Sequence, residues 1–272
     1  MVNAAATTPE GRPSRPWPGV TPDDPEYQMK ADRTTDLPAN APVTTGAPTH
    51  AGHHPDDMLV LALPKGRILK SAGPLLKKAG IIPSPDCLDE SSRRLRFSTN
   101  DPKLDVVRVR SFDVATFVAQ GGAHLGICGA DVMMEFDYPE LYAPLDLGIG
   151  GCRVSVASPA ADDPDEDWTR YSEVRVATKY PSLTRRHFAA RGVNADIVHL
   201  HGAMELAPML GLSRVIVDLV DTGSTLRANG LREVETIAHI TSRLVVNRTV
   251  LKTRPQEIAG LIARFRDAVT AA

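Results

Sequence analysis

No apolar run in the 272-residue sequence approaches the roughly 20 residues needed to span a bilayer. No apolar core of a secretory signal is present near the start. Cysteine is scarce. Cys87, Cys128 and Cys152 are odd in number and lack metal-ligand spacing, which fits small buried apolar side chains in a reducing cytoplasm. An excess of either charge is also missing. With 31 Lys and Arg against 33 Asp and Glu, the net charge of −2 gives no reason to expect nucleic acid or an anionic membrane as partner. Internal repeats are absent. The remaining composition, 42% hydrophobic and 24% charged, is that of a soluble globular protein with one large or two modest domains.

The first segment, residues 1–57, holds roughly half of the 22 prolines and has neither a helical nor a strand period, so it reads as a disordered extension. Its scattered acids do not fit an organellar transit peptide. From Met58 onward, short β-branched or leucine-rich runs alternate with amphipathic stretches, the pattern of an α/β fold with parallel sheets. Met58 to Leu63 is a buried strand, followed at once by Pro64-Lys65-Gly66-Arg67 and an apolar stripe through Leu76, in which Pro74 predicts a kink or restart. Lys65 and Arg67 stand where an open parallel sheet binds ligands, although solvated loop cations would read the same way. Arg93 and Arg94 open an alternating strand. Ser111 and Ser182 are candidate helix caps. The glycines of Leu125-Gly-Ile-Cys-Gly-Ala-Asp131 suit close approach by a ligand or by packed backbone. Gly148 to Gly151 reads as a crossing between domains.

The stretch from Arg214 to Leu231 organises the rest. Val215-Ile-Val217 is a strand buried on both faces, and Asp218 and Asp221 end it. Thr222-Gly223-Ser224-Thr225 then leads into a short helix closed by Gly230. Backbone N–H groups and three hydroxyls at such a turn can surround a phosphate. Carboxylates beside it would repel that phosphate unless they face sugar hydroxyls or a bound Mg²⁺. A ribose 5-phosphate satisfies both halves. An ordinary turn whose hydroxyls cap the helix is the plainer reading of the same residues.

Six segments in order resemble the ATP phosphoribosyltransferase family: Leu63-Pro-Lys-Gly-Arg67, Leu125-Gly-Ile-Cys-Gly-Ala-Asp131, Gly150-Gly-Cys-Arg153, Val176-Ala-Thr-Lys-Tyr-Pro181, Gly202-Ala-Met-Glu-Leu-Ala-Pro208 and Asp218 through Leu231. They cover essentially all of residues 58–272, and the last is the most specific. The resemblance implies two α/β lobes like those of periplasmic binding proteins, with the active site in the cleft between them. It places residues 58–147 and 241–272 in the first lobe and 148–240 in the second. It implies attack by N1 of ATP on C1 of phosphoribosyl pyrophosphate, with release of pyrophosphate and with Mg²⁺ as cofactor. Thr222, Gly223, Ser224 and Thr225 would cradle the 5-phosphate. Glu205, Asp218 and Asp221 would take ribose hydroxyls or metal, while Lys65, Arg67, Arg93 and Arg94 would neutralise pyrophosphate and the ATP triphosphate. The sequence ends on a catalytic-lobe helix, which resembles the short form of the family, a cytoplasmic homodimer that joins a regulatory subunit similar to histidyl-tRNA synthetase. A nucleobase phosphoribosyltransferase would share the phosphate turn but not the Lys-Gly-Arg and Ala-Thr-Lys-Tyr-Pro segments. A solute-binding protein would share the lobes but usually carries an export signal.

Overall fold

The computed structural model describes residues 58–89, 91–163, 166–167 and 170–271. The expected disordered extension lies outside the described residues. In chain order the regular elements are β1 (Leu59–Pro64), α1 (Arg67–Lys78), β2 (Arg96–Ser98), β3 (Leu104–Val109), α2 (Val114–Ala119), β4 (Leu125–Gly129), α3 (Ala130–Phe136) and β5 (Leu141–Asp146). Then follow β6 (Cys152–Pro159), β7 (Glu173–Thr178), α4 (Pro181–Ala189), β8 (Asn194–His199), α5 (Leu206–Met209), β9 (Val215–Val220), α6 (Ser224–Ala228) and β10 (Leu231–Ile240). The last are β11 (Ser242–Asn247), α7 (Arg248–Thr253) and α8 (Pro255–Thr270).

Two sheets result, in the orders β2-β3-β1-β4-β11-β5 and β10-β6-β9-β7-β8. Each has a parallel centre, β3-β1-β4 in the first and β9-β7-β8 in the second. Antiparallel strands flank both centres, so the sheets are mixed rather than wholly parallel. Two short connections between the sheets, from β5 to β6 and from β10 to β11, run side by side. Leu147 N donates to Ser242 O and Ser242 N to Ile149 O, both at 2.9 Å. Gly150 has φ +68°, and a Cβ on it would come within 3.1 Å of Ser242 Oγ, so the close pairing of the two chains requires glycine there.

Alternation along the strands sorts the core. Leu59, Leu61 and Leu63 of β1 pack with α1 and α8 on one face, where Leu69, Leu76, Ile258 and Phe265 are buried. Val60 and Ala62 point the other way, onto Val114 and Val118 of α2. In the second sheet Val215 and Val217 join Val176, Tyr180 and Phe188, while Ile216 joins Met204 and Leu226. Helix α1 runs unbroken through Pro74, contrary to the expected restart. The buried stripe of Leu69, Ala72, Leu75 and Leu76 holds it against the lost hydrogen bond. The glycines of β4 divide: a Cβ on Gly126 would lie 2.7 Å from Val114, so packed helix occupies that approach, whereas Gly129 lines a cavity beside Asp131. Among the described residues, no helix is long and apolar enough to cross a membrane.

Candidate active site

Chemistry-bearing residues collect where the parallel strands of both sheets end. The first sheet supplies Lys65 after β1, Arg110 after β3 and Asp131 after β4. The second supplies Lys179 after β7, His201 after β8 and Asp221 after β9. Open parallel sheets present such positions to ligand, free of strand pairing.

Four cavities lie along these ends. The smallest, of about 240 Å³, is lined by Lys65, Gly66, Leu69, Ser92 and Arg108. The other three are lined by the residues that concern the chemistry. One of about 290 Å³ is lined by Glu205 and by the continuous segment Asp218 to Leu226, and so gathers all seven residues expected to bind the sugar phosphate. A second, of about 250 Å³, shares Leu219 with the first and is lined by Lys65, Arg67, Asp131, Cys152, Lys179 and Tyr180, among others. The third, of about 560 Å³, joins Lys65 and Lys179 to Arg110, Ser111 and His201. Arg67 spans the first two: its Nη1 donates to Asp221 Oδ2 at 2.7 Å.

The turn itself is open. Gly223 takes φ +71° at the start of α6 and has no side chain to cap it. Thr222 Oγ1 donates to Ser224 Oγ at 3.0 Å and accepts from Ser224 N, the first N–H of α6, at 3.4 Å, so one hydroxyl serves the helix start while the others stay open. Behind the turn, Arg153 Nη1 donates to the Asp221 carbonyl at 2.8 Å while Arg153 pairs with Glu233. That pairing pulls the Glu233 carboxyl down to about 2. Asp218 behaves oppositely. Burial pushes it up to about 6, with the nearby Glu205 charge adding to the rise and the Leu219 N–H opposing it.

Arg93 and Arg94 are not brought to these cavities. Arg93 is exposed, and Arg94 pairs with Asp86 at 3.4 Å. Their loop is braced by Arg108, a 2% exposed side chain whose guanidinium donates to the carbonyls of Cys87, Asp89, Ser92 and Arg94. Three sequence expectations need correction. Ser111 caps no helix; the turn Ser111–Asp113 begins with an uncapped 3₁₀ segment. Ser182 lies inside α4, whose first N–H groups bond to Glu135 instead. Cys152 is only half-buried and lines the central cavity, although Cys87 and Cys128 are buried as expected. Lys179, Asp131, Arg110 and Arg153 received no role from the sequence. The first three could have been found by the strand-end rule that singled out Lys65, whereas Arg153 lies inside β6 and its hydrogen bond to Asp221 has no local signal.

Fold and site together define a two-lobed α/β enzyme whose cleft combines a hydroxyl-lined turn, paired carboxylates and converging cations. The ATP phosphoribosyltransferase (HisG) family model matches residues 110–267. ATP phosphoribosyltransferase of Gluconobacter oxydans is 71% identical over 216 residues, 79% of this chain and 88% of the relative. That of Paramagnetospirillum magneticum is 65% identical over 218 residues, 79% of this chain and 98% of the relative. Among solved structures, the ATP phosphoribosyl transferase (HisG:HisZ) complex from Thermotoga maritima matches with TM-score 0.67 and 32% identity, over 79% of this chain and 100% of that one. The Bordetella pertussis BvgS VFT2 domain, 12% identical with TM-score 0.50, shares the fold alone, over 79% of this chain and 87% of that one. The chain belongs to the ATP phosphoribosyltransferase family. It transfers the phosphoribosyl group of phosphoribosyl pyrophosphate to N1 of ATP, giving N1-(5-phosphoribosyl)-ATP and pyrophosphate, the first step of histidine biosynthesis.

Proposed function

We propose that the turn Thr222–Gly223–Ser224–Thr225 holds the 5-phosphate of phosphoribosyl pyrophosphate, with Glu205 and Asp218 accepting from the ribose hydroxyls. The observation that carries this reading is the 290 Å³ cavity in which those groups meet. Residues 58–147 with 241–272 form one lobe and 148–240 the other, so the sugar site belongs to the second lobe. As N1 of ATP attacks C1, the N1–C1 bond forms and the C1–oxygen bond to pyrophosphate breaks. Little covalent help is needed. A rigid hold on the sugar and cations on the departing oxygens supply the rate. Lys65 and Arg67 take that role at the cavity edge. Arg93 and Arg94, which line none of the three cavities, would add to it only as more distant charge from the neighbouring loop. Asp221 holds Arg67 until substrate arrives and then faces the ribose or metal.

The reaction needs a divalent cation, which we take to be Mg²⁺. Among the described residues no group of three or more His, Cys, Asp or Glu side chains could hold a metal. The site fits Mg²⁺ of the kind that keeps its waters and leans on one or two carboxylates plus substrate phosphates. Asp218 and Glu205 are those carboxylates, and the ion would supply charge neutralisation on the leaving group.

The role of Asp218 is tested by pH. Its carboxyl loses its charge as pH falls through about 6. Substrate affinity is therefore expected to weaken below that pH and to lose this slope in Asp218→Asn, measured by calorimetry. The stability effect has the opposite sign. A carboxyl raised above its unfolded value contributes stability at low pH that is lost as pH rises through about 6. Asp218→Asn is thus expected to melt slightly higher than the native protein at neutral pH while binding substrate less well. An Asp218→Asn variant with native affinity at every pH would remove this residue from the site.

The Thermotoga maritima chain, covered over its full length, comes from a HisG:HisZ complex. That likeness supports assembly with a separate regulatory subunit. We further propose that this chain is a cytoplasmic homodimer and that the subunit is similar to histidyl-tRNA synthetase. Sedimentation is expected to show a dimer alone and a larger hetero-oligomer once that subunit is added. The isolated chain is expected to be insensitive to histidine, and strong inhibition of it would contradict this assembly.

A further inference from the structure

Two carboxylates of α3, on the first sheet, are almost fully buried: Asp131 and Glu135 are each 5% exposed. Both are spent on the start of α4, on the second sheet. Glu135 Oε1 accepts from Ser182 N and Oε2 from Leu183 N, each at 2.9 Å. Asp131 Oδ2 accepts from the Tyr180 hydroxyl at 2.8 Å. Arg186 closes the set by donating to the Met134 carbonyl. Helix α4 has no cap of its own, since Tyr180 at the capping position makes no side-chain cap bond and Pro181 has no N–H. The capping group comes instead from another sheet's helix, with a full charge aimed at the positive end of α4.

Burying two carboxylates is costly unless their oxygens are engaged. Asp131 is also bonded by the N–H groups of Asp131 and Val132 in its own helix, while both Glu135 oxygens are engaged across the sheets. The contacts across the sheets fix the first turn of α4 and, through Asp131, the residue immediately before it. Tyr180 is held by Asp131 and packs edge-on against Phe112, with ring centroids 5.5 Å apart. Lys179 Nζ lies over the same Phe112 ring at 4.3 Å. Both Lys179 and Tyr180 line the central cavity. Lys179 also lines the larger cationic cavity beside Lys65 and His201.

We propose that Glu135 is a positioning residue for the phosphoribosyl transfer: by capping α4 from the opposite sheet it fixes where Lys179 and Tyr180 stand in the cleft and makes the α3–α4 junction the fixed point between the two halves of the site. It touches no substrate. It acts through the backbone of residues 179–183.

The separation of these elements makes the proposal testable with the whole enzyme. Glu135→Ala is expected to lower kcat about tenfold or more, because misplacing a charged group in a preorganised site by a fraction of an ångström is enough. Affinity for phosphoribosyl pyrophosphate, measured by calorimetry without ATP, is expected to fall less than kcat, because the turn that holds the sugar phosphate is carried by β9 and α6 rather than by α4. Glu135→Gln keeps one acceptor oxygen and the side-chain volume, so its kcat is expected to lie between those of the alanine variant and the native enzyme. If the alanine variant does not fold, the glutamine variant decides alone, its lowered kcat being the supporting result. Native kcat in Glu135→Gln, together with either native kcat or absent folding in Glu135→Ala, would overturn the proposal. So would a loss of phosphoribosyl pyrophosphate affinity in step with kcat, since that marks general loosening rather than positioning.

Discussion

Arg67→Ala is expected to lower kcat on the order of 10²-fold while leaving the melting curve nearly unchanged. The two halves of that expectation have separate origins. Arg67 lies at the first turn of α1, is 54% exposed, and its ion-pair partner Asp221 is 58% exposed. Exposed pairs of this kind contribute only about 0–1 kcal/mol to stability, so little folding energy is at stake. In the reaction the same guanidinium meets a polyanion whose charge grows as pyrophosphate leaves, inside a cleft lined also by Lys65 and Lys179. A cation placed for developing charge is worth more in the transition state than in the bound substrate, so the loss appears in kcat. Arg93→Ala is expected to have a smaller effect, because Arg93 lines none of the three cavities. Steady-state kinetics and thermal melts of both variants check this. Native turnover in Arg67→Ala would leave the side chain a solvated loop cation.

Much of the site was legible because its residues sit in short local patterns. Val215-Ile-Val217 needs only its β-branched run to be read as a buried strand, and the turn after it needs only Gly223 and the flanking hydroxyls. Lys65 and Arg67 follow from their position at a strand end. Strand direction was less legible. The strands β6 and β11 have apolar patterns like those of the parallel strands, and only the connections between the sheets make them antiparallel to their neighbours β9 and β4. The capping of α4 could not be read at all, since Glu135 and Ser182 are 47 residues apart and a serine near a helix start is a good local cap. Arg108 is a similar case. Within β3 it alternates with apolar residues and looks like an exposed-face cation, yet its guanidinium is buried among four loop carbonyls. Long-range polar pairing leaves no trace in a window of ten residues.

The account rests most heavily on the phosphate turn. Changing Thr222 and Thr225 together to Ala removes two hydroxyl donors from the turn, and with them one long bond from Ser224 N to Thr222 Oγ1, but leaves Gly223 free to keep its φ of +71°. Both residues are exposed, so the fold is expected to survive with native stability. Hydrogen bonds to a charged group contribute about 1.5–3 kcal/mol each. Losing two is therefore expected to weaken phosphoribosyl pyrophosphate binding at least about tenfold, even where water replaces part of each bond. ATP should be affected less, because its triphosphate is assigned to the cations of the first sheet. Calorimetric titration of phosphoribosyl pyrophosphate into the native enzyme and the double variant, with Mg²⁺ present and ATP absent, measures this directly. A rise in Kd of about tenfold or more with unchanged melting is the predicted result, and an unchanged Kd would contradict the assignment of the 5-phosphate to this turn.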